Sequence, residues 1–156
     1  MARRDSPGYE LPLLLFGGFR SLIDELHAEL ERQGHTGLRP AHGFAMQAIG
    51  PEGATASEVG RRLGVSKQAA GKTIERLERL GYVARGVDPD DARRKTVALT
   101  DEGLDMLRRS ATIFDTLRDR WARSIGRSRL DALESDLRDV VGSSAYGLDA
   151  QSWFDG

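Results

Sequence analysis

TASEVGRRLGVSKQAAGKTIERLERL, residues 55–80, is the stretch that decides how this chain is read. Thr55-Ala56-Ser57-Glu58 fits a capping box, in which a hydroxyl caps a helix and a glutamate three residues on returns the bond. The short helix that follows buries Val59 and Leu63. Gly64 falls in the tight turn Leu63-Gly64-Val65-Ser66, where a positive φ is cheap for glycine alone. Ser66 caps a second helix. On that helix Ala70, Ile74 and Leu77 fall at the spacing of a buried stripe, while Lys67, Gln68, Gly71, Lys72 and Arg76 share another face. One helix face that packs and one that is slim and cationic are what a helix-turn-helix needs to enter a DNA major groove. Gly71 in mid-helix costs up to about 1 kcal/mol relative to Ala. Its compensation is either close approach of the backbone to DNA or a tight helix–helix contact.

The charge around this stretch is uneven. The 156-residue chain has a formal net charge of −1. Residues 1–60 carry a net −3, residues 61–96 a net +5 and residues 97–156 a net −3. A basic block inside an acidic chain is the footprint of a localised polyanion contact, and here it coincides with the helix pair. With 39% hydrophobic and 30% charged residues, the composition is that of one globular domain or two small lobes sharing a core. The absence of cysteine removes disulfides, thiolate metal ligands and thiol-based peroxide sensing. The N-terminal MARRDSPGYELPLLLFGGF resembles a secretion signal only superficially. Its apolar run is short, holds Pro12, Gly17 and Gly18, and lacks a small-residue cleavage site. No segment approaches the roughly 20 apolar residues that span a bilayer, so a cytoplasmic protein without a membrane partner is expected.

Outward from the helix pair, Gly81 ends the second helix as a C′ glycine should. Val83 to Leu99 then reads as a β-hairpin with a long tip, with Val83, Val97 and Leu99 towards the core and Arg94 and Lys95 in water. Thr100 caps a long helix to about Ser124, with Leu104, Leu107, Ala111, Phe114, Trp121 and Ile125 as its stripe. After Gly126 a last helix, Ser128 to about Ala145, carries Leu130, Leu133, Leu137 and Val140. On the other side, a helix from about Tyr9 to Arg32 carries the seam Leu15, Phe19, Leu22, Leu26 and Leu30. A second helix follows Pro40, with Phe44, Ala45, Ala48 and Ile49 as its apolar side.

The expected fold is mainly α with a small β-wing: a winged helix-turn-helix with an N/C-terminal helical dimerisation bundle. The expected divisions are an arm and dimerisation helix at 1–36, a DNA-binding lobe at 37–100, dimerisation helices at 101–146 and a mobile tail at 147–156. Long seam-bearing helices at both ends of a chain are natural material for a bundle formed by two copies.

At this point the chain resembles the MarR-type winged helix-turn-helix transcription regulators, over about Leu11 to Val141. The resemblance is carried by Ser57-Glu58-Val59-Gly60, Leu63-Gly64-Val65-Ser66 and Leu77-Glu78-Arg79-Leu80-Gly81-Tyr82-Val83. It is also carried by Asp88-Pro89-Asp90-Asp91-Ala92-Arg93 and Leu99-Thr100-Asp101-Glu102-Gly103. Asp91, Arg93, Leu99, Thr100 and Gly103 fit the family's wing signature. The resemblance implies a homodimer whose terminal helices interlock and whose reading helices enter successive major grooves of a pseudo-palindromic double-stranded operator. It also implies a wing-tip arginine, here Arg93, in the flanking minor groove, oriented by Asp91. Narrow minor grooves do attract arginine.

Gln68 and Lys72 are the candidates for base edges, glutamine suiting adenine and lysine guanine. Lys67, Arg76, Arg94 and Lys95 are candidates for phosphate, and Ser66 for both a cap and a phosphate contact. Arg61 and Arg62 are equally well solvated surface. The resemblance further implies a small aromatic effector between the dimer helices and the reading lobe. Phe16, Phe19, His42, Phe44, Met46 and Phe114 are candidate walls, and each is also a candidate core residue. His27, His35 and His42 raise a metal-responsive alternative, but their spacing gives it weak local support. No cofactor is expected. No nucleophile constellation, P-loop or Gly-rich dinucleotide motif presents itself, so an enzyme is not expected. A ligand-independent repressor or architectural protein remains the alternative.

Overall fold

The computed structural model of the chain describes residues 6–142. The tail expected at 147–156 and the end expected for the last helix near Ala145 lie outside the described residues. The elements run α1 (Glu10–Arg32), α2 (Pro40–Ile49), α3 (Ala56–Leu63), α4 (Lys67–Arg79), β1 (Val83–Val87), β2 (Lys95–Leu99), α5 (Asp101–Ile125) and α6 (Arg127–Val141). The two strands pair antiparallel from Val83↔Leu99 to Val87↔Lys95. Ala54 adds a bridge, exchanging backbone hydrogen bonds with Val97 at 3.0 and 2.8 Å. The result is the winged helix-turn-helix with flanking helices that the sequence implies.

The core lies where α1, α2, α4, the wing and α5 meet. Leu30, Met46, Ile49, Val59, Ile74 and Leu77 are fully buried there, with Tyr82, Val83, Val97 and Met106 around them. Local chemistry fixes the ends of the elements. Thr55 Oγ1 accepts the Glu58 N–H at 3.2 Å and Glu58 Oε1 accepts the Thr55 N–H at 3.3 Å, completing the expected box. Thr100 Oγ1 accepts the Gly103 N–H at 3.2 Å. At the end of α4 the Gly81 N–H reaches Glu78 O and the Tyr82 N–H reaches Leu77 O, both at 3.0 Å, with Gly81 at φ 85°. That is a Schellman closure, and glycine alone enters it without strain.

Three helices differ from the expected stripes. In α5 the buried side chains include Met106, Leu107, Ser110, Ile113, Leu117 and Ala122. Of the expected stripe only Leu107 is among them; Leu104, Ala111, Phe114 and Trp121 are half-buried and Ile125 is exposed. The chain's own core therefore meets α5 on a face rotated from the most apolar one. In α1, Ile23, Leu26 and Leu30 are buried, whereas Leu15 and Phe19 are exposed. In α6 only Leu130 is buried. A guanidinium clasp holds α6 on α5: Arg118 donates to Glu134 and Asp131, each at 2.7 Å.

The two glycines of the reading region behave oppositely. A Cβ at Gly103 would lie 2.3 Å from the Tyr82 carbonyl oxygen, whereas one at Gly71 meets nothing within 4 Å. No contact among the described residues therefore explains Gly71, and the helix–helix alternative loses its support there. Gly103→Ala should lower unfolding free energy by about 1–3 kcal/mol through forced backbone displacement. Gly71→Ala should raise it by up to about 1 kcal/mol through helix propensity. Urea denaturation of both variants checks this; effects of the same sign would defeat the packing account.

Candidate nucleic-acid interface

The surface that could meet DNA is assembled from the N-terminus of α4 and the wing. Ser66 Oγ accepts the Ala69 N–H at 3.1 Å, so Ser66 caps α4 as expected. Ala70, Ile74 and Leu77 face inward, and Lys67, Gln68, Lys72 and Arg76 are exposed. At the wing tip Asp88 Oδ1 accepts the Asp90 N–H at 2.8 Å and Asp91 Oδ1 accepts the Arg93 N–H at 3.0 Å. Asp91 thus orients the backbone at Arg93, leaving its guanidinium outside any ion pair among the described residues. Lys67, Arg85, Arg93, Arg94 and Lys95 line a cleft of about 370 Å³ beside the first turn of α3.

Two arginines play other parts. Arg94 pairs with Glu58 and lies 3.5 Å from Asp88, so it straps the wing to α3. Arg62 donates to the Ala48 carbonyl at 2.6 Å and sits 3.5 Å from Glu58, tying α3 to the end of α2. Burial works against the Glu58 carboxylate, but hydrogen bonds from Arg94 and Thr55 outweigh it and hold it below the usual carboxylate range. Local spacing could not reveal these roles, because Arg94 and Glu58 are 36 residues apart.

The six candidate effector residues are split. Phe19 and Phe44 stack with ring centroids 6.1 Å apart and planes 14° apart, and Phe16 is exposed on the same helix as Phe19. Met46 and His42 are core, and Phe114 packs at the core's edge. A separate cleft of about 500 Å³ opens between α1 and α5, lined among others by Glu25, Glu29, Arg32, Ile113, Thr116 and Arg120. Among the described residues no group of three or more His, Cys, Asp or Glu could hold a metal ion. No described helix is long and apolar enough to cross a membrane.

A model of the MarR family matches residues 36–94, which contain the helix pair and the wing tip. Over these residues the chain is similar to the MarR family. A curated relative, the uncharacterized HTH-type transcriptional regulator YcgE of Bacillus subtilis (strain 168), is 44% identical over 43 residues. That stretch is 28% of this chain and 28% of the relative's length. Among solved structures, YusO of B. subtilis is similar with TM-score 0.65 and 22% identity, covering 90% of this chain and 99% of that one. FabT of Streptococcus pneumoniae, solved in complex with DNA, gives TM-score 0.73 and 17% identity over 86% of this chain and 95% of that one. PcaV of Streptomyces coelicolor, solved with its natural ligand, gives 0.63 and 22% over 90% and 97%. These similarities show the fold.

His42, on α2, lies close enough to the reading helix to feel the charge of Arg76. His42 is 6% exposed and its Nδ1 accepts the Arg39 N–H at 3.0 Å. Burial holds its imidazole below the ordinary histidine range, assisted by the charges of Arg76, Arg39 and His27. The unfolded chain therefore takes up this proton first as pH falls. The stability contribution is intact well above about pH 6.5 and is lost as pH drops from there towards the lower folded-state value, at no more than about 1.4 kcal/mol per pH unit. His42→Gln should flatten the loss between about pH 7 and 5 in urea titrations; an unchanged slope would remove His42 as its source.

Proposed function

We propose that this chain is a homodimeric, sequence-specific repressor that binds a pseudo-palindromic double-stranded DNA operator and is released by a small aromatic effector. The observation that carries the reading is the arc of open cations. Lys67, Lys72, Arg76, Arg93 and Lys95 are exposed and in no ion pair among the described residues, while Arg62, Arg85 and Arg94 nearby are paired. Unpaired cations arrayed from a capped helix to a wing tip suit a polyanion whose grooves alternate. Gln68 and Lys72 read base edges, Lys67, Arg76 and Lys95 hold phosphates, Ser66 caps and touches phosphate, and Arg93 enters the minor groove. The open Gly71 position lets the backbone approach the groove. Such a protein works in the cytoplasm and needs no catalytic residue.

The dimer is supported by the apolar surface that one chain leaves open. Leu11, Leu13, Leu14 and Phe16 on α1 and Val140 on α6 are 60–85% exposed. Clusters of exposed apolar side chains, such as the one at the start of α1, mark interaction sites. The effector is supported by the Phe19–Phe44 stack, whose Phe19 ring is exposed and could lie against a planar ring. PcaV, solved with its natural ligand, has the same fold. A ligand-independent repressor is the second reading, favoured by the packing of Met46 and His42 into the core. A panel of aromatic acids added to the operator complex separates the two: none releasing DNA would favour the second.

Lys72→Ala should weaken operator binding by about 1–3 kcal/mol while changing random-DNA binding far less; equal losses would sink the base-reading role. Arg93→Ala should erase the dependence of affinity on flanking A·T content. Lys95→Ala should reduce the salt slope by about one counterion, whereas Arg94→Ala, already paired to Glu58, should change it less. Light scattering should give twice the chain mass, and a monomer would overturn the dimer.

A further inference from the structure

His35 lies in the link of residues 33–39 between α1 and α2, yet it is only 4% exposed. Its Nδ1 is 2.9 Å from Tyr82 Oη and its Nε2 is 3.0 Å from Asp105 Oδ2. A carboxylate only accepts, so Nε2 carries the proton, and in the neutral ring Nδ1 accepts from the Tyr82 hydroxyl. Burial, then the Glu102 charge, push the Tyr82 phenol up, which keeps it a donor. Arg109 Nε donates to the same Asp105 oxygen at 2.7 Å, and Arg109 also donates to Gln33 at 3.0 Å. Glu102 Oε1 stands 3.7 Å from Nδ1. Buried polar groups in this ring of contacts are satisfied, and losing one strands another.

The position of this imidazole gives it more than a packing role. Tyr82 is the second residue past Leu80, where the reading helix closes, and its own N–H makes the closing bond to Leu77. Asp105 belongs to the first turns of α5, and His35 follows the last turn of α1. One side chain therefore joins the exit of the reading helix to both long helices.

We propose that His35 is a positioning residue for DNA reading: through Tyr82 and Asp105 it stiffens the joint between the reading lobe and α1/α5, and so fixes the separation of the two reading helices. This rests on the dimeric DNA-binding reading above. One base pair inserted between half-sites moves them apart by about 3.4 Å and turns one against the other by about 34°. A stiff joint resists that change; a loosened joint follows it at small cost, while losing some preorganisation at the natural spacing.

The experiment uses the full-length chain and an operator duplex obtained by selection from random DNA, with versions carrying one base pair more or fewer at the centre. Binding is read by fluorescence anisotropy, and a duplex carrying a single half-site serves as reference. Wild type should lose about tenfold or more in affinity at either altered spacing. Tyr82→Phe, which removes only the hydroxyl, should lose about threefold or less between spacings, with single-half-site affinity unchanged within about twofold. His35→Leu should behave likewise. His35→Gln should restore the wild-type preference, because its amide can donate to Asp105 and accept from Tyr82. Should His35→Leu fail to fold, the Tyr82→Phe and His35→Gln pair still decides. Tyr82→Phe with a wild-type spacing preference would overturn the inference alone, as would a loss of single-half-site binding equal to its loss at the natural spacing. A wild-type protein that is monomeric or indifferent to spacing would overturn both this inference and the dimeric reading.

Discussion

The carbonyl of Tyr82 is the point on which the rest of the fold turns. It accepts the Thr100 N–H at 3.0 Å and sits so close to Cα of residue 103 that no side chain fits there. Thr100 also donates its hydroxyl to the Gly81 carbonyl at 2.6 Å while accepting from the Gly103 N–H. The last turn of α4 and the first turn of α5 thus share one set of hydrogen bonds. A helix end leaves carbonyls without partners, and a helix start leaves N–H groups without partners. Here the Schellman closure caps α4 and Thr100 caps α5, and the Gly81 and Tyr82 carbonyls between them tie the two caps together. The wing becomes an excursion between two points already fixed.

The same economy orders the charges. Glu58 is enlisted three times: it closes the α3 capping box, pairs with Arg94 on the wing and stands near Arg62. Exposed ion pairs contribute about 0–1 kcal/mol each, so their importance lies in geometry and not in stability. The pairings engage Arg62 and Arg94 with Glu58 and leave them less free charge than the unpaired cations. Among the cations left unpaired, Lys67, Lys72 and Arg76 along α4 and Arg93 and Lys95 on the wing form an arc. The net +5 of residues 61–96 says nothing of the shape of the open charge.

Much of this was legible in the sequence because it is local. The Thr55, Ser66 and Thr100 caps, the Gly81 closure and the inward set Ala70, Ile74 and Leu77 each depend on residues within one or two turns. What local spacing could not carry was partnership across the fold. His35 reads as a loop histidine and is buried against residues 47 and 70 positions away. Arg94 reads as a wet wing cation and is held by a glutamate on α3. Gly103 could be matched to a signature, but its physical reason, the Tyr82 carbonyl, is visible only in three dimensions.

The misjudged stripes follow a different logic. Periodicity records every surface a sequence is built to bury, including surfaces that a single chain does not bury by itself. In α5 the chain's own core claims Met106, Ser110 and Ile113, while Leu104, Ala111 and Trp121 stay half open. In α1 the contrast is sharper. Leu11, Leu13, Leu14, Leu15 and Phe16 are all exposed, and at about 100° per residue they surround the helix rather than form a stripe. A helix that is apolar all round is built for burial on all sides. One neighbouring helix laid along it would cover a single face, so enclosure needs at least two. In the proposed dimer, helices of the second copy would have to supply at least part of that enclosure. The direction of α1 there would be constrained on every side, and the tie from α1 through His35 to Tyr82 would carry that direction to the reading helix.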